Sequence, residues 1–240
     1  MRDTSGMSAN CLKIIAVIAM TIDHIAWTLA PGYCIEFWVI VSHIIGRITA
    51  PIMWYFIIEG YYHTRNLKKY ILRLFSLAFI SHFAYNFCFS IPFLPFQEAF
   101  LNQTSVIWPL AWGLVGLWIN DNLKLKERHK LFIFILICLI TLPSDWSCIP
   151  VLAILFMHDN KESFKMQMLW MMIWSSVYAV VYFLFVDKIY GIIQLFTVLS
   201  IPFLKMYNGT KGRSKLIGKL FYFYYPAHLV ILGVVRLLFI

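Results

Sequence analysis

Hydrophobic positions in this chain come in runs, not in alternation. Nine apolar stretches lie at roughly 12–30, 35–62, 70–90, 104–120, 131–143, 146–157, 167–186, 190–205 and 219–239, separated by short gaps that hold nearly all of the charge. Runs of this length predict helices that cross a bilayer, where every backbone N–H and C=O must be satisfied within its own segment. No run alternates with period two, which argues against a closed barrel. The predicted fold class is therefore all-α. It is a polytopic membrane helix bundle of about nine spans, with residues 1–240 as a single transmembrane domain.

The fifth and sixth predicted helices, 131–143 and 146–157, are short. Each has about a dozen residues, roughly 18 Å of helix against a hydrocarbon core of about 30 Å. Leu142-Pro143-Ser144-Asp145-Trp146 joins them. Two readings stand. One is a re-entrant hairpin that stops near the midplane, surrounded by protein or lining a water-filled cavity. The other is a strained pair of ordinary spans in a thinned bilayer.

Composition agrees with the pattern: 61% of the residues are hydrophobic, 18% aromatic and only 13% charged. An ordinary soluble domain carries about a quarter charged residues. No internal repeat, low-complexity segment or soluble domain is evident. The net charge of +9 need not mean nucleic acid, because the basic residues sort into alternate gaps. Arg2, Lys13, Arg65, Lys68, Lys69, Arg73, Lys124, Lys126, Arg128, Lys130, Lys161, Lys165, Lys205, Lys211, Arg213, Lys215 and Lys219 fall on one side. Lys188 falls on the other, while Arg47 and Arg236 lie within spans. The positive side is cytoplasmic, so the N-terminus is expected inside and the C-terminus outside a cell membrane, with the lipid bilayer as partner. No small-residue cleavage site follows the first run, which is read as a retained span. The five cysteines lack metal-ligand spacing, and no metal is expected. Cys34 and Cys88 share the predicted outer side, where they can pair. Trp108, Trp112, Trp118, Trp146, Trp170 and Trp174 read as interfacial or lipid-facing anchors.

Ionisable groups inside spans are costly and mark candidate chemistry. Counted from the cytoplasmic ends, His24 lies roughly 16 Å deep, His82 roughly 20 Å, His228 roughly 14 Å and Arg47 roughly 24 Å. A re-entrant hairpin would put Asp145 at roughly 22 Å. Asp23 precedes His24, but adjacent helical residues do not face each other, so Asp23 is expected to pair across to Arg47. His24 is then left to face a cavity, where an imidazole suits general-base work. His82 and His228 are reserve candidates for the base. Arg47, between Gly46 and Pro51, reads equally as an anion or oxyanion holder and as a structural partner of Asp23. Glu59 and His63 are four apart on one helix face, and Arg65, Lys68, Lys69 and Arg73 follow. This cationic rim suits a phosphorylated cytosolic donor. Its bland alternative is an ordinary positive-inside loop.

Three blocks resemble the TraX family, named for a conjugal-transfer protein that N-acetylates pilin. They are Leu12 to Ile25 with Asp23-His24, Ile45 to Tyr85 with Gly46-Arg47, Ala50-Pro51, Glu59-Gly60-Tyr61 and His63-Thr64-Arg65-Asn66, and Phe223 to Gly233 with Tyr225-Pro226-Ala227-His228-Leu229. Asp145-Trp146 resembles the family's Asp-aromatic turn. The chain is similar, more distantly, to transmembrane acyltransferases with a buried histidine. The resemblance implies an integral membrane acyltransferase that uses cytosolic acetyl-CoA as co-substrate. It supports Asp23, His24, Arg47, Glu59, Arg65 and His228 as site residues, and makes Asp145 and Tyr225 candidates for substrate contact. The expected reaction moves an acyl group to an amine or hydroxyl, with His24 as base. The acceptor and the oligomeric state are not implied. The rival reading is a proton-coupled transporter, which also uses Asp, His and Arg at the midplane.

Overall fold

The computed structural model describes residues 6–94, 101–212 and 214–239, and for 215–219 the backbone alone. Arg2 and Arg213, counted above among the cytoplasmic cations, lie outside the described residues. Among the described residues the helices are α1 (Ala9–Leu29), α2 (Phe37–Gly46), α3 (Thr49–His63), α4 (Leu67–Phe89), α5 (Ile107–Asn122), α6 (Glu127–Thr141), α7 (Ile149–Asp159), α8 (Phe164–Phe185), α9 (Lys188–Gln194), α10 (Ser200–Lys205) and α11 (Lys215–Phe239). A 3-10 segment, Leu195–Leu199, joins α9 to α10. Each of the nine predicted runs is matched by helix, two of them broken.

Six of these helical rods are long and apolar enough to cross a membrane: Ala9–Leu29, Phe37–His63, Leu67–Phe89, Phe164–Phe185, Lys188–Lys205 and Leu220–Phe239. The chain is a multi-pass membrane protein. The other three helices have 16, 15 and 11 residues. Shortness therefore extends to the predicted fourth span as well as the fifth and sixth.

Prolines mark two of these runs. Pro51 has no N–H to offer the carbonyl of Arg47, and the second run is interrupted at Arg47–Ile48 between α2 and α3. Pro226 lies within α11 and has no N–H to offer the carbonyl one turn earlier.

The chain forms two compact units, Met1–Met53 with Ser175–Ile240, and Trp54–Trp174. In the first, α1 packs against α2 and α11, and α9 packs on α2. The buried stripe of α1 runs through Leu12, Ala16, Ala19, Asp23 and Ala26, small enough on average for close helix approach. In the second, α5 packs against α4, α6 and α7. Gly113 faces Ile154 so closely that a Cβ there would lie 2.7 Å from Ile154 Cδ1. Most of α7, from Ile149 to His158, is buried. By contrast, α6 turns Leu131, Phe132, Ile135, Leu136, Leu139 and Ile140 outward, an apolar face suited to lipid.

The turn between α6 and α7 is strapped to the segment before α5. Gln103 donates its N–H to the Pro143 carbonyl at 2.7 Å, and Asp145 donates to the Thr104 carbonyl at 2.8 Å. Trp146 and Ser147 take φ of 64° and 52°, a left-handed pair seldom seen for side chains of that size. Two expectations are corrected in this part of the chain. Trp146 is buried and meets Trp54 edge-on at 5.5 Å, so it is a core ring and not a lipid anchor. Cys88 is a free thiol, as are the other four cysteines, so the suggested pairing with Cys34 is not formed.

Helix glycines supply a test of this packing. At Gly191 an added Cβ would fall 2.6 Å from the Phe183 backbone nitrogen, whereas at Gly116 its nearest neighbour is Phe134 Cε1 at 3.4 Å. Backbone cannot yield as a side-chain tip can. Gly191→Ala is expected to destabilise by about 1–3 kcal/mol. Gly116→Ala is expected to be neutral or to gain up to about 1 kcal/mol from helix propensity. Thermal unfolding of both variants in the same detergent checks the difference in sign.

Candidate functional site

A carboxylate inside an apolar bundle is tolerable only when its charge is met. Asp23 is buried on α1 and is met from two helices. Arg47, at the end of α2, brings Nη2 to 3.0 Å and 3.2 Å from the two carboxylate oxygens. His43, one turn earlier, brings Nδ1 to 2.8 Å from Oδ1. The guanidinium is held in turn: Nη1 donates to Gln194 Oε1 at 2.8 Å, and Nε donates to the His43 carbonyl at 3.2 Å. Gln194 ends α9, so three helices are tied through one ion pair.

Gly46 makes this approach sterically feasible. A Cβ on it would sit 2.5 Å from Asp23 Cβ, Cγ and Oδ1. The expected Asp23–Arg47 pair is therefore present. The bonds of Arg47 serve the structural side of its two readings. His43 was not anticipated. It is 1% exposed, packs on Trp27 at 4.6 Å and Tyr190 at 5.2 Å, and its buried Nε2 meets no hydrogen-bond partner among the described residues. The signal available for it was its spacing of four from Arg47, which puts both on one face.

On the neighbouring stretch of α1, His24 turns toward α11. Its Nδ1 lies 2.8 Å from His228 Nε2, and both rings are buried. The rings are parallel within 2° with centroids 5.1 Å apart. His228 Nδ1 lies 3.0 Å from the Tyr224 carbonyl. Tyr224 stacks on His228 with centroids 5.1 Å apart, and its hydroxyl is 2.7 Å from Thr21 Oγ1. Tyr225 meets His24 edge-on at 6.4 Å and His228 at 5.6 Å. Asp23, His24, Arg47, His228 and Tyr225 thus all belong to the first unit. His24 faces a second imidazole here, where an open cavity had been expected.

The remaining sequence candidates lie in the second unit. His82 Nε2 is 2.8 Å from the Phe93 carbonyl, a bond in which it must donate. Asp145 sits in the strained turn described above. Glu59 and His63 line a pocket of about 270 Å³ with Tyr55, Ile58, Tyr62, Lys161 and Gln167. Lys161 Nζ stands 4.8 Å over the Tyr62 ring, a cation–π distance. Tyr62 also stacks on His158 at 5.4 Å and 6°. His158, buried, lies 3.2 Å from Asp121 and 3.3 Å from Asp159. Arg65, Lys69 and Arg73 are exposed and do not line the pocket; Arg73 stands 5.8 Å over the Tyr70 ring. Tyr62, His158 and Lys161 were missed: Tyr62 shares α3 with Glu59 and could have been found at its spacing of three, whereas Lys161 and His158 come to Tyr62 only through the tertiary fold.

A family model described as TraX protein matches residues 8–236. The chain belongs to the TraX family. This TraX-family chain is also similar to the "Probable fimbrial assembly protein FimC, serogroup H1" of Dichelobacter nodosus, at 28% identity over 242 aligned positions covering 94% of each chain. No solved structure matches it.

Removing one member of the Asp23 pair should cost more than removing both. Arg47→Met leaves the buried carboxylate with His43 but without its cation and should destabilise by about 3–5 kcal/mol. Adding Asp23→Asn to it should recover more than half of that loss. A double-mutant cycle on thermal unfolding in detergent reads the coupling, and additive losses would contradict it.

Proposed function

We propose that this TraX-family protein is an integral membrane acyltransferase that moves an acetyl group from cytosolic acetyl-CoA to an amine or hydroxyl. The observation that carries this reading is the buried imidazole of His24, held by a second imidazole at 2.8 Å inside a membrane-spanning helix. A histidine buried there has no role in solvation, and a neutral imidazole is a competent proton acceptor. His24 takes the proton of the acceptor as its nitrogen or oxygen attacks the thioester carbonyl. When the carbon–sulfur bond breaks, the same proton returns to the departing thiolate. The reading is one of direct transfer, with no covalent acyl-enzyme step.

The pocket of Glu59, His63 and Lys161 is the candidate for the phosphates of the donor, with exposed Arg65, Lys69 and Arg73 as a cationic approach. The N-terminus is placed in the cytoplasm and the C-terminus outside, on the asymmetry of lysine and arginine. The α6–α7 pair is read as a hairpin that does not cross fully, which its 15 and 11 residues and the burial of α7 support. Similarity to a probable fimbrial assembly protein makes a pilus subunit one acceptor to try.

The breaks at Arg47–Ile48 and Leu195–Leu199 favour one alternative, a carrier built on discontinuous helices. Calorimetry on the purified protein separates the two. The acyltransferase reading expects acetyl-CoA binding by wild type, unchanged binding but no transfer or slow thioester hydrolysis by His24→Ala, and binding weakened about 3–10-fold by Lys161→Ala. Absence of binding and of hydrolysis in wild type would overturn it. Solute uptake into proteoliposomes without any acyl donor would favour the carrier.

A further inference from the structure

Of the buried polar groups, the file that runs from Thr21 to His24 fixes its own proton positions. Thr21 Oγ1 lies 2.7 Å from the Val17 carbonyl, which can only accept, so the one hydroxyl proton of Thr21 goes there. The Tyr224 hydroxyl, 2.7 Å away, must then donate to Thr21. That bond holds the Tyr224 ring flat against His228, with 11° between the planes. His228 Nδ1 faces the Tyr224 carbonyl at 3.0 Å, again a group that only accepts. So Nδ1 of His228 carries the proton, and in the neutral ring its Nε2 carries a lone pair. That lone pair faces His24 Nδ1 at 2.8 Å. One proton must lie between the two rings, and in the neutral pair it belongs to His24.

We infer that His228 is a positioning residue that holds His24 in its Nδ1–H tautomer, so that His24 presents Nε2 as the unprotonated, basic nitrogen. This rests on the reading of His24 as the base and adds which of its atoms works and what sets it. The opposite arrangement would set the His228 Nδ1 lone pair against a carbonyl oxygen in a buried place, at a loss of one hydrogen bond. Free imidazole side chains favour the other tautomer, so the chain has to impose this one. When Nε2 takes a proton, the bond between the rings lets His228 share the charge. The Nδ1 proton can move to His228 Nε2 while Nδ1–H of His228 stays on the Tyr224 carbonyl. No atom is gained or lost in that shift. Among the described residues, the charged or titratable groups facing the pair are Asp23 on α1, His43 and Arg47 from α2, and Tyr224 and Tyr225 on α11. The carboxylate is shared by His43 and Arg47, and His228 stands within hydrogen-bond distance of His24.

The direct test is nitrogen NMR of protein labelled with ¹⁵N-histidine, in detergent or nanodiscs, with signals assigned by difference against His24→Gln and His228→Gln. At neutral pH His24 is expected to show a protonated Nδ1 and a bare Nε2. A protonated Nε2 on His24 in wild type would overturn the inference, with no need for any variant. The variants give the second arm. His228→Leu removes the acceptor; His24 should revert to the Nε2–H form, and kcat for acetyl transfer should fall about 10²–10⁴-fold with KM little changed. His228→Gln offers a carbonyl oxygen in place of Nε2 and should restore the tautomer and most of kcat, while lowering the pH midpoint of the rate because the charge is no longer shared. Equal losses in both variants would reduce His228 to packing and overturn the role. If no acyl donor is found, the NMR result still decides the tautomer, so failure of the enzyme reading and failure of this inference remain distinct.

Discussion

A negative charge buried in a membrane bundle has to be met wherever it sits, and in this protein that demand organises the first unit. Asp23 is met by Arg47 and His43 from α2, and Arg47 is met by Gln194 from α9. These groups are largely buried, so the three helices must keep register with one another to within a hydrogen-bond length. Close contact at this point needs a residue with no side chain, and Gly46 is that residue. The same ties fix the rotation of α1 about its axis. Adjacent helical residues point about 100° apart, so once Asp23 faces α2, His24 has to face elsewhere. It faces α11 and His228. The anchor and the candidate base are thus one decision taken at two neighbouring positions.

Much of this was legible in the chain, and the reasons differ by residue. Helical membrane spans follow from run length alone. The break before α3 follows from Pro51. The Asp23–Arg47 pair was legible because two opposite charges inside apolar runs have few other ways to be neutralised. His24 and His228 were placed in a common layer by counting along their helices. A layer, however, does not specify direction around the helix axis, and 204 residues separate the pair. Their contact therefore had to come from the structure.

Other features left no such mark. His43 is one histidine among seven and sits in an apolar stretch; only its offset from Arg47 hinted at a shared target. The 3-10 segment Leu195–Leu199 has the composition of the helix on either side, so no residue announces the change in winding. Trp146 was read from residue type as a lipid anchor, but a left-handed backbone turns its ring into the core against Trp54. Glu59 and His63 were recognised as one face, whereas Lys161, in the turn before α8, and Gln167, in the first turn of α8, reach the same pocket from about a hundred positions away.

That overwound segment has a dimensional consequence. An eighteen-residue rod, Lys188–Lys205, would measure about 27 Å as ordinary α-helix. Five residues wound as 3-10 helix each rise about half an ångström more, which brings the rod close to the 30 Å of a hydrocarbon core. Lysine stands at each end, where an ammonium on a long stem can reach the polar boundary. A change of winding thus lets the shortest of the six long rods match the thickness of its solvent without adding a residue.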